Sequence, residues 1–99
     1  MFNRAQVRDI LANGQVDTTT EIIGWVVTKR TQKTFSFIEL NDGSVLNGLQ
    51  VIVDNTIPNY EENILLAGTG SSIRITGRIV ASQGAKQRIE IHADTLEII

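Results

Sequence analysis

The sequence predicts an all-β domain, a small five-stranded barrel with a short leading helix and a second helix between strands 3 and 4. Three observations carry that expectation. Five segments rich in Ile, Val, Phe and Thr have the strand composition, most with the period-two alternation of half-buried strands. Turn formers such as Asn41-Asp42-Gly43-Ser44 separate them. Two other stretches carry helical spacing, and one falls between the third and fourth strand segments. With 99 residues, 41% hydrophobic and 20% charged, the chain has room for one modest core, so residues 1–99 are expected to form a single domain.

The elements follow in order. Asn3 is placed to cap a helix of about residues 3–13, with Val7, Ile10 and Leu11 at i, i+3 and i+4 and Gly14 as a stop. The barrel is expected from about residue 20 to residue 99. Glu21–Arg30 reads as the first strand, with Gly24 marking a bend or bulge that helps the barrel close. A polar turn, Thr31–Thr34, leads to the second strand, Phe35–Asn41, and Leu49–Asp54 is the third. A helix of two to three turns follows, with Pro58 at its first position, Gly68 past its end, and Tyr60, Ile64 and Ala67 on one face. Ser72–Ser82 is the fourth strand, Ser82-Gln83-Gly84-Ala85 a turn, and Arg88–Ile99 the fifth strand with a break near Asp94. The order βββαββ after a leading helix is that of the OB-fold, a five-stranded Greek-key barrel.

Several function classes are excluded on composition. There is no cysteine, hence no disulfide scaffold, thiol nucleophile or Cys-ligated zinc, which suits a cytoplasmic protein. No apolar run is long enough to span a bilayer, and the N-terminus lacks the pattern of a secretory signal. His92 is the lone histidine, so no metal site is expected, and no phosphate loop or catalytic motif suggests an enzyme or a cofactor. Net charge is −2, but seven of the nine basic residues fall in Thr28–Thr34 and Ser71–Arg88, which contain no acid. That distribution offers either one basic face for phosphates or simply solvated strand ends.

The second strand is the most informative segment. Period two puts Ser36, Ile38 and Leu40 on one side and Phe35, Phe37 and Glu39 on the other. With Ile38 and Leu40 in the core, Phe35 and Phe37 point outward and form a stacking platform for unpaired bases. The alternative buries the Phe pair in the core or under the leading helix. On the third strand Leu49, Val51 and Val53 face in, and Gln50 shares the outer surface with Phe37, where its amide can pair with a base edge. Arg30, with Lys29 and Lys33 around the first turn, is placed for phosphate or base contacts. Glu90 on the fifth strand can accept hydrogen bonds from base amino groups.

Gly24-Trp25-Val26, Lys29-Arg30, Phe35-Ser36-Phe37-Ile38-Glu39-Leu40-Asn41-Asp42-Gly43-Ser44 and Leu49-Gln50-Val51-Ile52-Val53 resemble the anticodon-binding domain shared by asparaginyl-, aspartyl- and lysyl-tRNA synthetases. The Leu40–Ser44 stretch resembles the asparaginyl branch most, and Ile75-Thr76-Gly77 and Ile89-Glu90-Ile91-His92-Ala93 agree. The resemblance implies that Phe37 stacks on the central anticodon base, a uridine, and that Gln50 reads that base. It implies further that Arg30 supports the anticodon loop and that Glu90 lies near the first anticodon base. The expected partner is therefore tRNA, in particular tRNA-Asn. The family continues into a catalytic domain beyond the point where this sequence stops, so no aminoacylation is expected from these 99 residues. Two rivals remain: a sequence-tolerant single-strand binder, and a protein-interaction or scaffold module that uses the Phe face, such as a homodimer.

Overall fold

The computed structural model describes residues 6–82 and 87–99. Asn3, Lys86 and the Gln83–Ala85 part of the expected turn lie outside the described residues. The elements are α1 (Val7–Asn13), β1 (Thr19–Thr31), β2 (Phe35–Asn41), β3 (Leu49–Asp54), α2 (Tyr60–Leu66), β4 (Ser72–Ala81) and β5 (Ile89–Ile98). The strands close in the order β1-β2-β3-β5-β4, with β4 returning to β1. All pairings are antiparallel except the short parallel contact of β3 with β5, through Val51–Ile91 and Ile52–His92. This is the five-stranded OB barrel that the sequence predicts.

Closure depends on β1 serving two neighbours. Its first half, Thr19–Trp25, pairs with β4, and its second half, from Trp25 to Thr31, pairs with β2. Gly24 stands at the handover, but it is not the bulge: the register of β1 against β2 shifts between Val26 and Thr28. Gly24 instead answers a close approach, since a Cβ there would lie 2.5 Å from the Asn41 carbonyl oxygen. A second register shift, between Thr76 and Gly77, leaves Asp94 unpaired on β5, at the expected break.

The interior is aliphatic. Ile22, Val26, Ile38, Leu40, Leu49, Val51, Val53, Ile73, Ile75, Ile89 and Ile91 are fully enclosed, joined by Val7 and Ile10 of α1 and by Ile64 and Ala67. Burying each such side chain contributes roughly 1.5–3 kcal/mol. Alternation selects these residues: Ser36, Ile38 and Leu40 face in along β2, and Leu49, Val51 and Val53 along β3.

At the helix ends, Gly14 stops α1 as expected, whereas the placing of Pro58 is corrected. Among the described residues, the N-cap Gln6 makes no side-chain cap to α1; Asp42 Oδ2 accepts from the Val7 N–H at 3.0 Å and Ser44 Oγ from the Arg8 N–H at 3.0 Å. Gly14 ends α1 with φ −60°, so it is not there for left-handed freedom; a Cβ would sit 2.5 Å from the Ile10 carbonyl oxygen. Pro58 lies before the helix rather than at its first position, because Asn59, at φ 58°, is the N-cap of α2.

Candidate nucleic-acid interface

The outer surface of β1, β2 and β3 is a grid set by register. Arg30 opposes Phe37, and Phe37 opposes Ile52; one step along, Thr28 opposes Glu39, and Glu39 opposes Gln50. The two rows lie about 7 Å apart, two residues of strand rise. The bulge at Val27 makes this grid possible. Before it, the even-numbered Ile22, Gly24 and Val26 point inward; after it, the even-numbered Thr28 and Arg30 point outward. One extra residue thereby delivers Arg30 to the side of Phe37.

A cleft of about 990 Å³ opens over this grid. Thr28, Arg30, Phe37, Glu39 and Gln50 form its floor, Asn47 and Gly48 line it from the β2–β3 loop, and Ser82 and Gln87 from the β4–β5 connection. Phe37 is half-buried, with Ser36 and Ile38 on the core side. Phe35 meets it edge-to-face, ring centroids 4.9 Å apart, and the Arg30 guanidinium carbon lies 5.3 Å from the Phe37 centroid. Phe35 supports the ring from the neighbouring row and does not line the cleft.

Gln50 sits in a hydrogen-bonded frame. Its Nε2 donates to Glu90 Oε2 at 3.0 Å, and its backbone N–H approaches Gln87 Oε1 at 3.5 Å. Gln87 Nε2 in turn donates to the Gly48 carbonyl, which ties the start of β5 to the β2–β3 loop. The Gly48 N–H donates to Glu39 Oε2 at 3.3 Å. Thr28, Asn47 and Gln87 escaped sequence reasoning because nothing local marks them; the strand pairing and the two loops bring them in beside Glu39, whose outward face alternation had given.

The site residues expected from sequence divide. Arg30, Phe37 and Gln50 come together on the cleft floor. Glu90 is 3% exposed, does not line the cleft and meets Gln50 through the 3.0 Å hydrogen bond. The bulge turns Lys29 inward, and its Nζ donates to the Ile64 carbonyl of α2 at 2.5 Å. Lys33 is exposed on the β1–β2 turn. The described basic residues of the two acid-free stretches lie on different parts of the barrel. Arg74 and Arg78 ride on β4, between β1 and β5 and away from β2 and β3, with Arg74 paired to Glu97 at 3.6 Å. Arg88 donates to the Gly14 carbonyl at 2.8 Å. The cleft itself holds Arg30 against Glu39, so its chemistry favours stacking and edge reading over phosphate capture.

Residues 20–99 match the model of a family described as an OB-fold nucleic acid binding domain of tRNA anti-codon type. The chain is 44% identical over 98 residues to an asparagine–tRNA ligase of Nostoc sp., covering 99% of this chain and 21% of that protein. It is 41% identical over 100 residues to an asparagine–tRNA ligase of Cytophaga hutchinsonii, again 99% of this chain and 21% of the relative. The chain thus spans about a fifth of the length of the curated relatives it matches. Asparaginyl-tRNA synthetase from Pyrococcus horikoshii has a similar fold, with TM-score 0.84 at 22% identity, covering 100% of this chain and 23% of that one. An OBody bound to hen egg-white lysozyme is similar in fold too, with TM-score 0.83 at 14% identity, covering 100% of this chain and 96% of the OBody.

Proposed function

From the premise that the chain belongs to the tRNA anti-codon family of OB-fold nucleic acid binding domains, we propose that its cleft takes up the unpaired bases of a tRNA anticodon loop, that of tRNA-Asn. The observation that carries this reading is the presence of Phe37 and Gln50 on one cleft floor. A flat ring gives a base a stacking partner, and an amide two strand positions along gives it a polar edge.

Arg30 has to yield for this to happen. Its guanidinium lies over the Phe37 ring, a contact worth about 0.5–1 kcal/mol at an exposed site. Base–aromatic stacking is worth about 1–3 kcal/mol, so a base displaces the guanidinium and frees it for the loop's backbone. Lys33, exposed on the β1–β2 turn, offers a second cation to the loop's backbone. Lys29 is reassigned to holding the C-terminal end of α2. As part of an asparagine–tRNA ligase, the domain would select the tRNA for the ligation.

The test is titration of an anticodon stem-loop containing GUU against the wild type and Phe37→Ala. The expected loss is about 1–3 kcal/mol of binding free energy. Equal affinity for both proteins ends the proposal. Competition with homopolymers separates the runner-up, a sequence-tolerant single-strand binder, which would not distinguish them from the stem-loop.

A further inference from the structure

We infer that Asn47–Gly48 is a site of spontaneous modification, at which Asn47 loses its amide and leaves a carboxylate on the wall of the cleft. The Gly48 backbone nitrogen attacks Asn47 Cγ. A new C–N bond closes a five-membered succinimide, the Cγ–Nδ2 bond breaks, the Gly48 N–H proton passes through water to the departing nitrogen, and ammonia leaves. Water then opens the ring at one carbonyl or the other, giving aspartate or isoaspartate.

The sequence offers two Asn-Gly pairs, Asn13–Gly14 and Asn47–Gly48, in which the glycine leaves the attacking nitrogen unhindered. The structure separates them. Asn13 is the last residue of α1, and the Gly14 N–H donates to the Ile10 carbonyl at 2.8 Å. That bond points the nitrogen along the helix axis, away from the Asn13 side chain. Asn47 lies outside helix and strand, is exposed, and among the described residues its side chain has no hydrogen bond. The Gly48 N–H is held by a side-chain acceptor, Glu39 Oε2, at 3.3 Å. A contact beyond the usual range releases its nitrogen at little cost. Packing meanwhile keeps the glycine in place. A Cβ at residue 48 would stand 2.6 Å from the Leu40 carbonyl oxygen and 2.8 Å from Glu39 Cγ, so the loop passes β2 too closely for a side chain.

The consequence falls on the cleft, and this part rests on the base-binding reading above. Asn47 and Gly48 line the cleft together with Glu39, and Arg30 is the one cation among the described residues that line it. A carboxylate at residue 47 adds a second negative charge there and repels an RNA backbone. Isoaspartate also inserts a methylene into the main chain just before Gly48. The Gly48 carbonyl accepts from Gln87 Nε2, so the tie between the loop and the start of β5 loosens.

The experiment ages the wild type and Asn47→Gln in mildly alkaline buffer and maps their peptides by mass spectrometry. The wild type should exchange NH2 for OH first at Asn47, with isoaspartate among the products and Asn13 far behind. Asn47→Gln should resist, because its longer side chain has to close a six-membered ring. Reaction first at Asn13, equal rates at the two sites, or an intact Asn47 after other asparagines have reacted would overturn the inference. In denaturant the two pairs should react at similar rates. A preference for Asn47 that survives unfolding belongs to the sequence and overturns the structural assignment.

Binding of the anticodon stem-loop reads the consequence. Aged wild type and Asn47→Asp should bind about two- to fivefold more weakly than fresh wild type, with the gap narrowing as salt is added. Asn47→Gln should hold its starting affinity through ageing. Undiminished affinity in Asn47→Asp overturns the effect on the cleft. Absence of RNA binding by fresh wild type ends the proposed function instead, and the peptide map still decides the modification.

Discussion

Phe37 is presented to solvent by its sequence neighbours. Ser36 and Ile38 fill the barrel on either side of it, both fully buried, so the ring between them has no interior to enter. Its edge-to-face partner Phe35 holds its orientation, a pairing worth about 0.5–1.5 kcal/mol. Single residues also set where two backbones can meet. At Gly24 a methyl group would fall 2.5 Å from the Asn41 carbonyl oxygen and 3.1 Å from Leu40 Cδ1. Gly24→Ala therefore forces β1 and β2 apart where β1 changes partner. The expected cost is about 1–3 kcal/mol, read as a lower denaturant midpoint in chemical unfolding. An unchanged midpoint would mean that the strands separate freely there.

At the scale of elements, α1 depends on a loop that is remote in sequence. The Asn41–Ser44 turn folds through its own side chains, the Gly43 N–H donating to Asn41 Oδ1 at 2.8 Å and the Ser44 N–H to Asp42 Oδ1 at 3.0 Å. Thus braced, Asp42 and Ser44 receive the first N–H groups of α1. Burial pushes the Asp42 carboxyl upward, but hydrogen bonds from the Ser44 hydroxyl and from backbone N–H groups, that of Val7 among them, outweigh it and hold it below its usual 3.8. A carboxyl lowered by folding stabilises the folded state above its ordinary range. That contribution is lost as pH falls through the lowered value. Asp42→Asn should therefore lower stability at neutral pH by about 0.5–1 kcal/mol, the low end for a cap that is partly solvent-screened. The difference from wild type should shrink as pH falls below the ordinary carboxylate range and through the lowered value, where the folded carboxyl protonates. Thermal unfolding of both proteins across acid pH checks this, and a difference independent of pH would refute the assignment.

At the scale of the whole molecule, barrel closure decides how charge is distributed. The two basic stretches of the chain are separated by the strand order, β4 lying away from β2 and β3. Lys29, Arg74 and Arg88 are engaged with Ile64, Glu97 and Gly14. Of the remaining described cations, Arg30 lines the cleft and Lys33 is exposed on the β1–β2 turn next to β2. With these two as the phosphate contacts, log affinity for a single-stranded loop should fall with log salt at a slope of about −1.4. A slope of about −4 or steeper would show that the acid-free β4–β5 segment also reaches the RNA.

The barrel and its inner face were legible in the chain, because hydrophobic periodicity is a local record of burial: β2 and β3 begin and end where alternation puts them, and Ile38, Leu40 and Val51 are where the pattern sends them. Phe37 and Gln50 were legible for the same reason, as the residues that alternation leaves outside. The bulge at Val27 was not, since a shift in register depends on what the partner strand offers and leaves no mark in the β1 sequence. That one residue turned Arg30 outward to the cleft and Lys29 inward to α2. The place of Glu90 was likewise decided in three dimensions. Residues 40 positions apart meet only once β5 closes against β3, and that contact, not the composition of either strand, brings the glutamate against the Gln50 amide.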